Sequence, residues 1–150
     1  MQIIKDKQLI ENTWTYHADD SELGNGNITI SVARLKQQGS GLTQHNGRLG
    51  VRIEPDDDIT GVVEYLPALS LIELYFPQMA DGRLFSYAWL LRNRHGYTGE
   101  LRATGNFLPD QAFYLSRVGV NAFNPDNIAS LPAMLTGLND FSVKYQPSVY

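Results

Sequence analysis

An acid, a base and a hydroxyl stand close together in "FPQMADGRLFS", where a strand-like pattern stops at a proline and a helical pattern begins. Asp81 and Arg83 flank Gly82, and Ser86 follows one helical turn later. A carboxylate beside an arginine can act as a general acid or base if burial tunes its pKa. The planar guanidinium group also suits a carboxylate or an oxyanion. These four residues are therefore the first candidates for a ligand site.

A second group of candidates lies in "TGNFLPDQ", which contains Asp110 and Gln111. Loops that lead from parallel strands into helices gather at one end of an α/β sheet, where ligands bind. Asp110 therefore joins Asp81 as a candidate acid or base, and Gln111 joins the ligand-binding residues. Arg83 is expected to pair with Asp81 or Asp110, or to bind an anion, because a cation at a helix N-terminus opposes the helix dipole.

A third loop at this end, "EPDDD", has a simpler explanation. Asp56, Asp57 and Asp58 precede a helical pattern, and acids there accept backbone N–H bonds and complement the dipole. Capping is the expected role of these three residues.

The elements that would position these loops alternate regularly along the chain. Strand patterns begin about every 20 to 30 residues, each followed by a helical pattern, and their first residues are Leu49, Leu69, Glu100 and Val120. This alternation is typical of βα units with a parallel sheet. Such units form either a partial (βα) barrel or an open doubly wound sheet. Because the strands follow in simple succession, the partial barrel is the preferred prediction.

The rest of the chain completes a single α/β domain over residues 1–150. Residues 1–16 predict an N-terminal β-hairpin, residues 49–138 the βα core, and residues 142–150 an extended tail. A helix is predicted near the C-terminus, broken at Pro132.

The open edges of such a sheet favour a homodimer, because unpaired edge strands are usually covered. The tail is aromatic as well as extended, and Tyr145 or Tyr150 is expected to help cover the interface.

Three charged residues interrupt strands that a parallel sheet should keep apolar. Arg52, Glu73 and Arg102 fall on successive predicted strands. They either form a buried, paired arrangement or lie at strand margins in solvent. Pairing of Glu73 with one of the two arginines is favoured.

Composition excludes several classes of function. The chain has 150 residues with a net charge of −4, which argues against nucleic-acid binding, and it has no apolar run long enough to span a membrane. It has no cysteine, and its three histidines lack metal-site spacing. No dinucleotide fingerprint or P-loop is present, so no cofactor or metal is predicted. A cytoplasmic location is expected.

Several segments resemble the bacterial DUF934 family. They are "RLGVRIEPDDD", the long stretch from "FPQMADGR" through "GYTGELRATG" to "GVNAF", the closing "FSVKYQ", and the opening "IIKD" and "ENTW". The resemblance implies a role near assimilatory sulfur metabolism, because members tend to be encoded beside sulfite or nitrite reductase genes and often carry an oxidoreductase label. It does not imply a particular reaction.

The chain departs from the family pattern at a few positions. Gln78 stands where a basic residue usually follows the Phe-Pro pair, and Leu84 where a glycine usually follows Asp-Gly-Arg. The segment that begins at Gly105 lacks one acid and one arginine of the usual pattern. An anion that this missing pair binds in relatives would be bound weakly here or replaced by another ligand.

Two functions remain open, together with a purely structural dimer or interaction module. The leading hypothesis is an accessory protein of assimilatory sulfite or nitrite reduction, which binds a sulfite or nitrite reductase or a small oxyanion. The alternative is a small enzyme with a barrel-like acid–base site that uses Asp81 or Asp110. The sequence does not decide whether the protein is an enzyme.

Overall fold

Eight strands form one curled, half-barrel sheet in the computed structural model, which describes residues 1–19, 21–42, 45–78 and 82–144. Across the sheet the strand order is β2-β1-β8-β7-β6-β5-β4-β3. The strands are β1 Gln2–Lys5, β2 Gln8–Glu11, β3 Thr15–Tyr16, β4 Ile28–Ser31, β5 Leu49–Ile53, β6 Leu71–Phe76, β7 Glu100–Gly105 and β8 Ala122–Pro125.

Most strand pairs are parallel. Strands β3 to β8 pair with their neighbours in parallel, whereas β1 joins β8 antiparallel and carries β2 on its other side. The predicted α/β class, the partial barrel and the hairpin at the sheet edge are confirmed. The open doubly wound sheet, the alternative prediction, is not formed.

The N-terminal region differs from the prediction in two ways. The hairpin ends at Glu11, and the chain then crosses to the opposite edge of the sheet, where Thr15 and Tyr16 form β3 beside β4. The succession of βα units also starts earlier than residue 49, because β4 leads directly into the first helix. A strand of two residues carries too little pattern to be recognised in a sequence.

Five α-helices follow strands or link them, and they are α1 Val32–Leu42, α2 Thr60–Val63, α3 Gly82–Trp89, α4 Pro109–Arg117 and α5 Leu131–Lys144. A π-helical turn, Leu90–Arg94, continues α3, and short 3₁₀ turns occupy Leu66–Ala68 and Ile128–Ser130. None of the helices in the described ranges is long and apolar enough to cross a membrane.

Three helix predictions need correction. The helix expected in "PDDDITGVVEYLP" is one α-helical turn followed by a 3₁₀ turn. Pro132 does not break a helix but lies in the first turn of α5, where its missing N–H costs nothing. Residues 142–144 belong to α5 rather than to an extended tail. The remainder of the predicted tail, with Tyr145 and Tyr150, lies outside the described residues.

The two faces of the sheet have opposite character because successive side chains on a strand point to opposite sides. On the convex face, residues such as Val51, Leu74 and Phe123 are buried against the helices and form the core. On the concave face the same strands carry Arg52 and Glu73. Helices therefore cover one face, and the other is available to position polar groups.

Candidate functional site

A row of polar side chains crosses the middle of the concave face. Ser31 pairs in register with Arg52, Arg52 with Glu73, and Glu73 with Arg102. In a parallel ladder, residues in register project from the same face. The three charged residues that the sequence singled out are therefore neighbours on one face rather than residues at strand margins.

Toward the amino ends of the strands, this face holds a closed ion-pair network. Arg102 is 2% exposed and donates to a carboxylate oxygen of Glu100 from Nε at 2.7 Å, with Nη2 at 2.6 Å from the same oxygen. Lys5 lies 3.3 Å from the other carboxylate oxygen of Glu100. Asn12, on the segment that crosses between the sheet edges, accepts a hydrogen bond from Arg102 at 2.9 Å. All four side chains are engaged with one another, so this half of the face is structural.

On the β5 side of the same row, Arg52 is held from three sides. Its Nε donates to Glu73 at 2.7 Å, and Thr104 donates to the second oxygen of Glu73 at 2.8 Å. The predicted pairing of Glu73 with one arginine is thus confirmed. The Arg52 guanidinium carbon lies 3.9 Å from the ring centroid of Tyr16 and 4.7 Å from that of Tyr75. Cation–π contacts on both rings fix the orientation of the guanidinium group.

The two terminal nitrogens of Arg52 are left available. A guanidinium group has five N–H donors, and Glu73 uses only the one on Nε. In the described part of the chain, Nη1 and Nη2 of Arg52 donate to no acceptor. Every buried polar side-chain atom in that part has a hydrogen-bond partner, so these two nitrogens are not buried. Both nitrogens therefore reach solvent, in a side chain that is 19% exposed. An oriented fork of this kind can bind a carboxylate or an oxyanion through two parallel hydrogen bonds.

Acidic groups surround this opening. Asp19 accepts a short hydrogen bond from Ser31, the register neighbour of Arg52. Glu54 directly follows β5, two residues after Arg52. Burial raises the pKa of Tyr16, Arg52 opposes this shift, and Asp19 and Glu54 add to it. The Tyr16 phenol next to Arg52 is therefore neutral.

Comparison with known protein families identifies the family of this chain. The family model described as a bacterial protein of unknown function (DUF934) matches residues 50–150. The chain belongs to the DUF934 family. A search of curated proteins found no match.

The DUF934 match covers only part of the concave site. It begins on β5 and so includes Arg52, Glu73, Tyr75 and Thr104. Tyr16 and the other residues contributed by the first four strands precede it. The site is thus built from the matched βα units and completed by an N-terminal segment that crosses to the far edge of the sheet.

The first group of predicted site residues lies on the outer surface, around the start of α3. Asp81 is outside the described residues. Arg83 forms an ion pair with Asp56 at 2.7 Å; its predicted pairing with Asp81 or Asp110 stays a prediction. Both side chains of that pair are largely exposed, 56% and 92%, so the pair contributes little to stability. Ser86 is exposed on α3, and Gly82 begins that helix with open space around it.

The second group is placed at the start of α4, as the loop argument predicted. Gln111 accepts a hydrogen bond from the Leu108 N–H at 2.8 Å and so closes the first turn of α4. Asp110 borders a surface groove between α4 and α5, together with Tyr114 and Gly137. The described geometry gives Gln111 a capping role, and Asp110 a place on a helix groove rather than on the concave face.

The acidic loop after β5 behaves only partly as expected. Asp58 accepts hydrogen bonds from the N–H and the hydroxyl of Thr60, the first residue of α2, and the backbone N–H bond lowers the pKa of Asp58. Asp57 accepts from the Glu54 N–H at 2.7 Å, in a turn before the helix. The capping prediction thus holds for Asp58, whereas Asp57 closes a turn and Asp56 pairs with Arg83.

The sequence analysis did not identify Tyr16, Tyr75 or Thr104 as site residues, for different reasons. "LIELYF" and "ELRATG" each place polar residues two apart, Glu73 with Tyr75 and Arg102 with Thr104, which is the pattern of a strand with one polar face. That pattern could have revealed a concave polar face. Tyr16 has no such signal, because its position depends on the crossing to the opposite edge. Within the described ranges, no group of three His, Asp or Glu side chains could hold a metal ion.

Proposed function

We propose that this DUF934 protein binds a small anion, a carboxylate or an oxyanion, at Arg52 on the concave face of the half-barrel, as an accessory protein of assimilatory sulfite or nitrite reduction. The observation that carries the proposal is the pair of Arg52 terminal nitrogens, oriented by Glu73 and two tyrosine rings and open to solvent. Ligand sites at the carboxyl ends of parallel strands are the rule in βα folds, which supports this location.

The physical support is preorganisation. An arginine on a flexible surface loop loses side-chain entropy when it binds a ligand, whereas Arg52 is already fixed by its contacts. Arg83, the earlier candidate, is 56% exposed and pairs with an acid that is 92% exposed. Arg52 is therefore the better anchor for an anion. The link to sulfur metabolism comes from the family resemblance and makes sulfite, sulfate and nitrite the first anions to test.

The anion site is tested by calorimetric titration of sulfite, sulfate, nitrite and acetate into the wild-type protein and its variants. Arg52→Lys keeps the charge but removes the fork, and we expect it to weaken binding about tenfold or more. The double variant Arg52→Gln with Glu73→Gln removes both charges of the pair together, so no buried carboxylate is left without a partner. It should abolish binding while the protein remains folded.

Arg83→Ala is the matched control, because it removes an arginine from the same end of the sheet. It should bind anions like the wild type. If Arg83→Ala abolishes binding and the Arg52 variants bind normally, the site is the α3 loop and the proposal is wrong.

The accessory role requires a protein partner, which is tested separately by affinity capture from cells grown on sulfate as the sulfur source. We expect a sulfite or nitrite reductase subunit to be enriched with the tagged wild-type protein. Enrichment that contains no reductase would contradict the accessory role and leave the anion site to be judged by the titrations.

A further inference from the structure

The charges around Arg52 favour an anion that also carries a cationic group. Beyond the Arg52–Glu73 pair, the opening is bordered by two more carboxylates, Asp19 and Glu54. Asp19 accepts a hydrogen bond from Ser31. Glu54 is exposed, and its side chain has no partner among the described residues. An inorganic anion bound at the Arg52 fork would therefore lie near two like charges. A ligand that also carries a cation would have a favourable partner for each of its charged groups.

Strand pairing places these charges near one another. Ser31, which donates to Asp19, is the register partner of Arg52 on the adjacent strand, and adjacent strands lie about 4.8 Å apart. Glu54 directly follows Ile53, the last residue of β5, and so comes two residues after Arg52. The anchor for an anion and the acids for a cation thus lie at the ends of neighbouring strands. This arrangement suits a compact ligand whose two charges are joined by one or two carbon atoms.

The rings of Tyr16 and Tyr75 limit what else the ligand can contain. The Arg52 guanidinium carbon lies over both rings, 3.9 Å and 4.7 Å from their centroids, so aromatic surface borders the two nitrogens that are left for the ligand. Burial raises the pKa of the Tyr16 phenol, so this side chain next to Arg52 is neutral. The opening is accordingly matched to a small zwitterion.

We infer that the ligand of the concave site is a small zwitterion of the α-amino acid or aminosulfonate class, with its carboxylate or sulfonate on the Arg52 fork and its ammonium group between Glu54 and Asp19. This inference rests on the proposed anion site and specifies its ligand. Glu54 is then a specificity residue, because it distinguishes a zwitterion from an anion of the same shape.

The test compares ligands that differ only in the ammonium group. Glycine against acetate, and taurine against ethanesulfonate, are titrated by calorimetry into the wild-type protein, with ethylamine as the cation-only probe. We expect each zwitterion to bind about tenfold more tightly than its matched anion, because its ammonium group adds partly exposed ion pairs to Glu54 and Asp19. Ethylamine should bind more weakly than glycine.

Two variants assign the preference to its residues. Glu54→Gln should remove most of the difference between glycine and acetate, by weakening glycine and leaving acetate equal or tighter. Glu64→Gln, an exchange at an acid outside the site, should leave the difference unchanged. Arg52→Lys should weaken both members of each pair.

The outcomes separate the two claims. If acetate and glycine bind equally, and both depend on Arg52, the zwitterion inference is overturned and the anion site stands. If ethylamine binds as tightly as glycine, the zwitterion inference is likewise overturned. If no anion or zwitterion binds in an Arg52-dependent manner, the proposed anion site fails together with the inference.

Discussion

Arg102 and Arg83 each form an ion pair, but their surroundings give the two pairs different consequences. Arg102 is 2% exposed against Glu100, which is 8% exposed, whereas Arg83 and its partner Asp56 lie mostly in solvent. Removing one member of a buried pair leaves the other charge without compensation in a medium of low dielectric. At the surface, water replaces the lost partner.

We expect Arg102→Ala to lower the free energy of unfolding by about 3 to 5 kcal/mol, because Glu100 is left buried with only Lys5 nearby. Arg83→Ala should lower it by at most about 1 kcal/mol. Urea unfolding followed by circular dichroism measures both values. Equal losses in the two variants would contradict the distinction between a structural half of the concave face and an exposed surface pair.

At the scale of the elements, the carboxyl end of β7 depends on one glycine. Gly105 has a φ of 113°, and a Cβ built on it would collide with the carbonyl oxygen of Phe76 on β6. Gly105 therefore lets the carboxyl ends of β6 and β7 approach closely. It holds β6 and β7 together where Tyr75 and Thr104 enter the site.

Gly105→Ala should destabilise the protein by at least about 1 to 3 kcal/mol from the positive φ, with a further loss from the collision. Gly137→Ala is the matched control, since a Cβ at this position of α5 meets nothing within 4 Å. It should stabilise the protein by up to about 1 kcal/mol through helix propensity. A neutral Gly105→Ala exchange, by urea midpoint, would show that the loop conformation is not required.

Much of the element pattern could be predicted from sequence because hydrophobic period and breakers act locally. Gly96 and Gly119, which follow the helical segments that end at Arg94 and Arg117, both have positive φ. Pro132 was misread because the same residue that breaks a helix interior is favoured in its first turn. The strand β3 was missed because only pairing with β4, over a long loop, makes Thr15–Tyr16 a strand.

At the scale of the whole molecule, the candidate site could be predicted only in part. The sequence indicated that polar loops meet at one end of the sheet, and that Arg52, Glu73 and Arg102 were misplaced in an apolar sheet. It did not indicate that Tyr16, on the edge strand β3 two places from β5, contacts Arg52. Such contacts depend on strand order and sheet curvature, which no local pattern encodes.

The curled sheet also keeps its two edges, which supports the expected homodimer. Strand β2 has one neighbour, β1, and its Leu9 is 42% exposed. We expect a dimer by light scattering at micromolar concentration, and a monomer for Leu9→Lys, because charge on an edge strand opposes pairing. Ile128→Lys changes an apolar residue that is 50% exposed elsewhere, and it should leave the dimer intact. A monomeric wild-type protein would contradict this prediction.

The position of a bound anion tests the central claim most directly. Side-chain NMR of ¹⁵N- and ¹³C-labelled protein can follow the Arg Nε–Hε signals and the tyrosine ring signals during a titration with sulfite and with glycine. We predict saturable shifts at Arg52, Tyr16 and Tyr75, with Arg83 unaffected. Saturable shifts at Arg83 and Ser86, with the Arg52 signal unchanged, would contradict the account and return the site to the surface loop before α3.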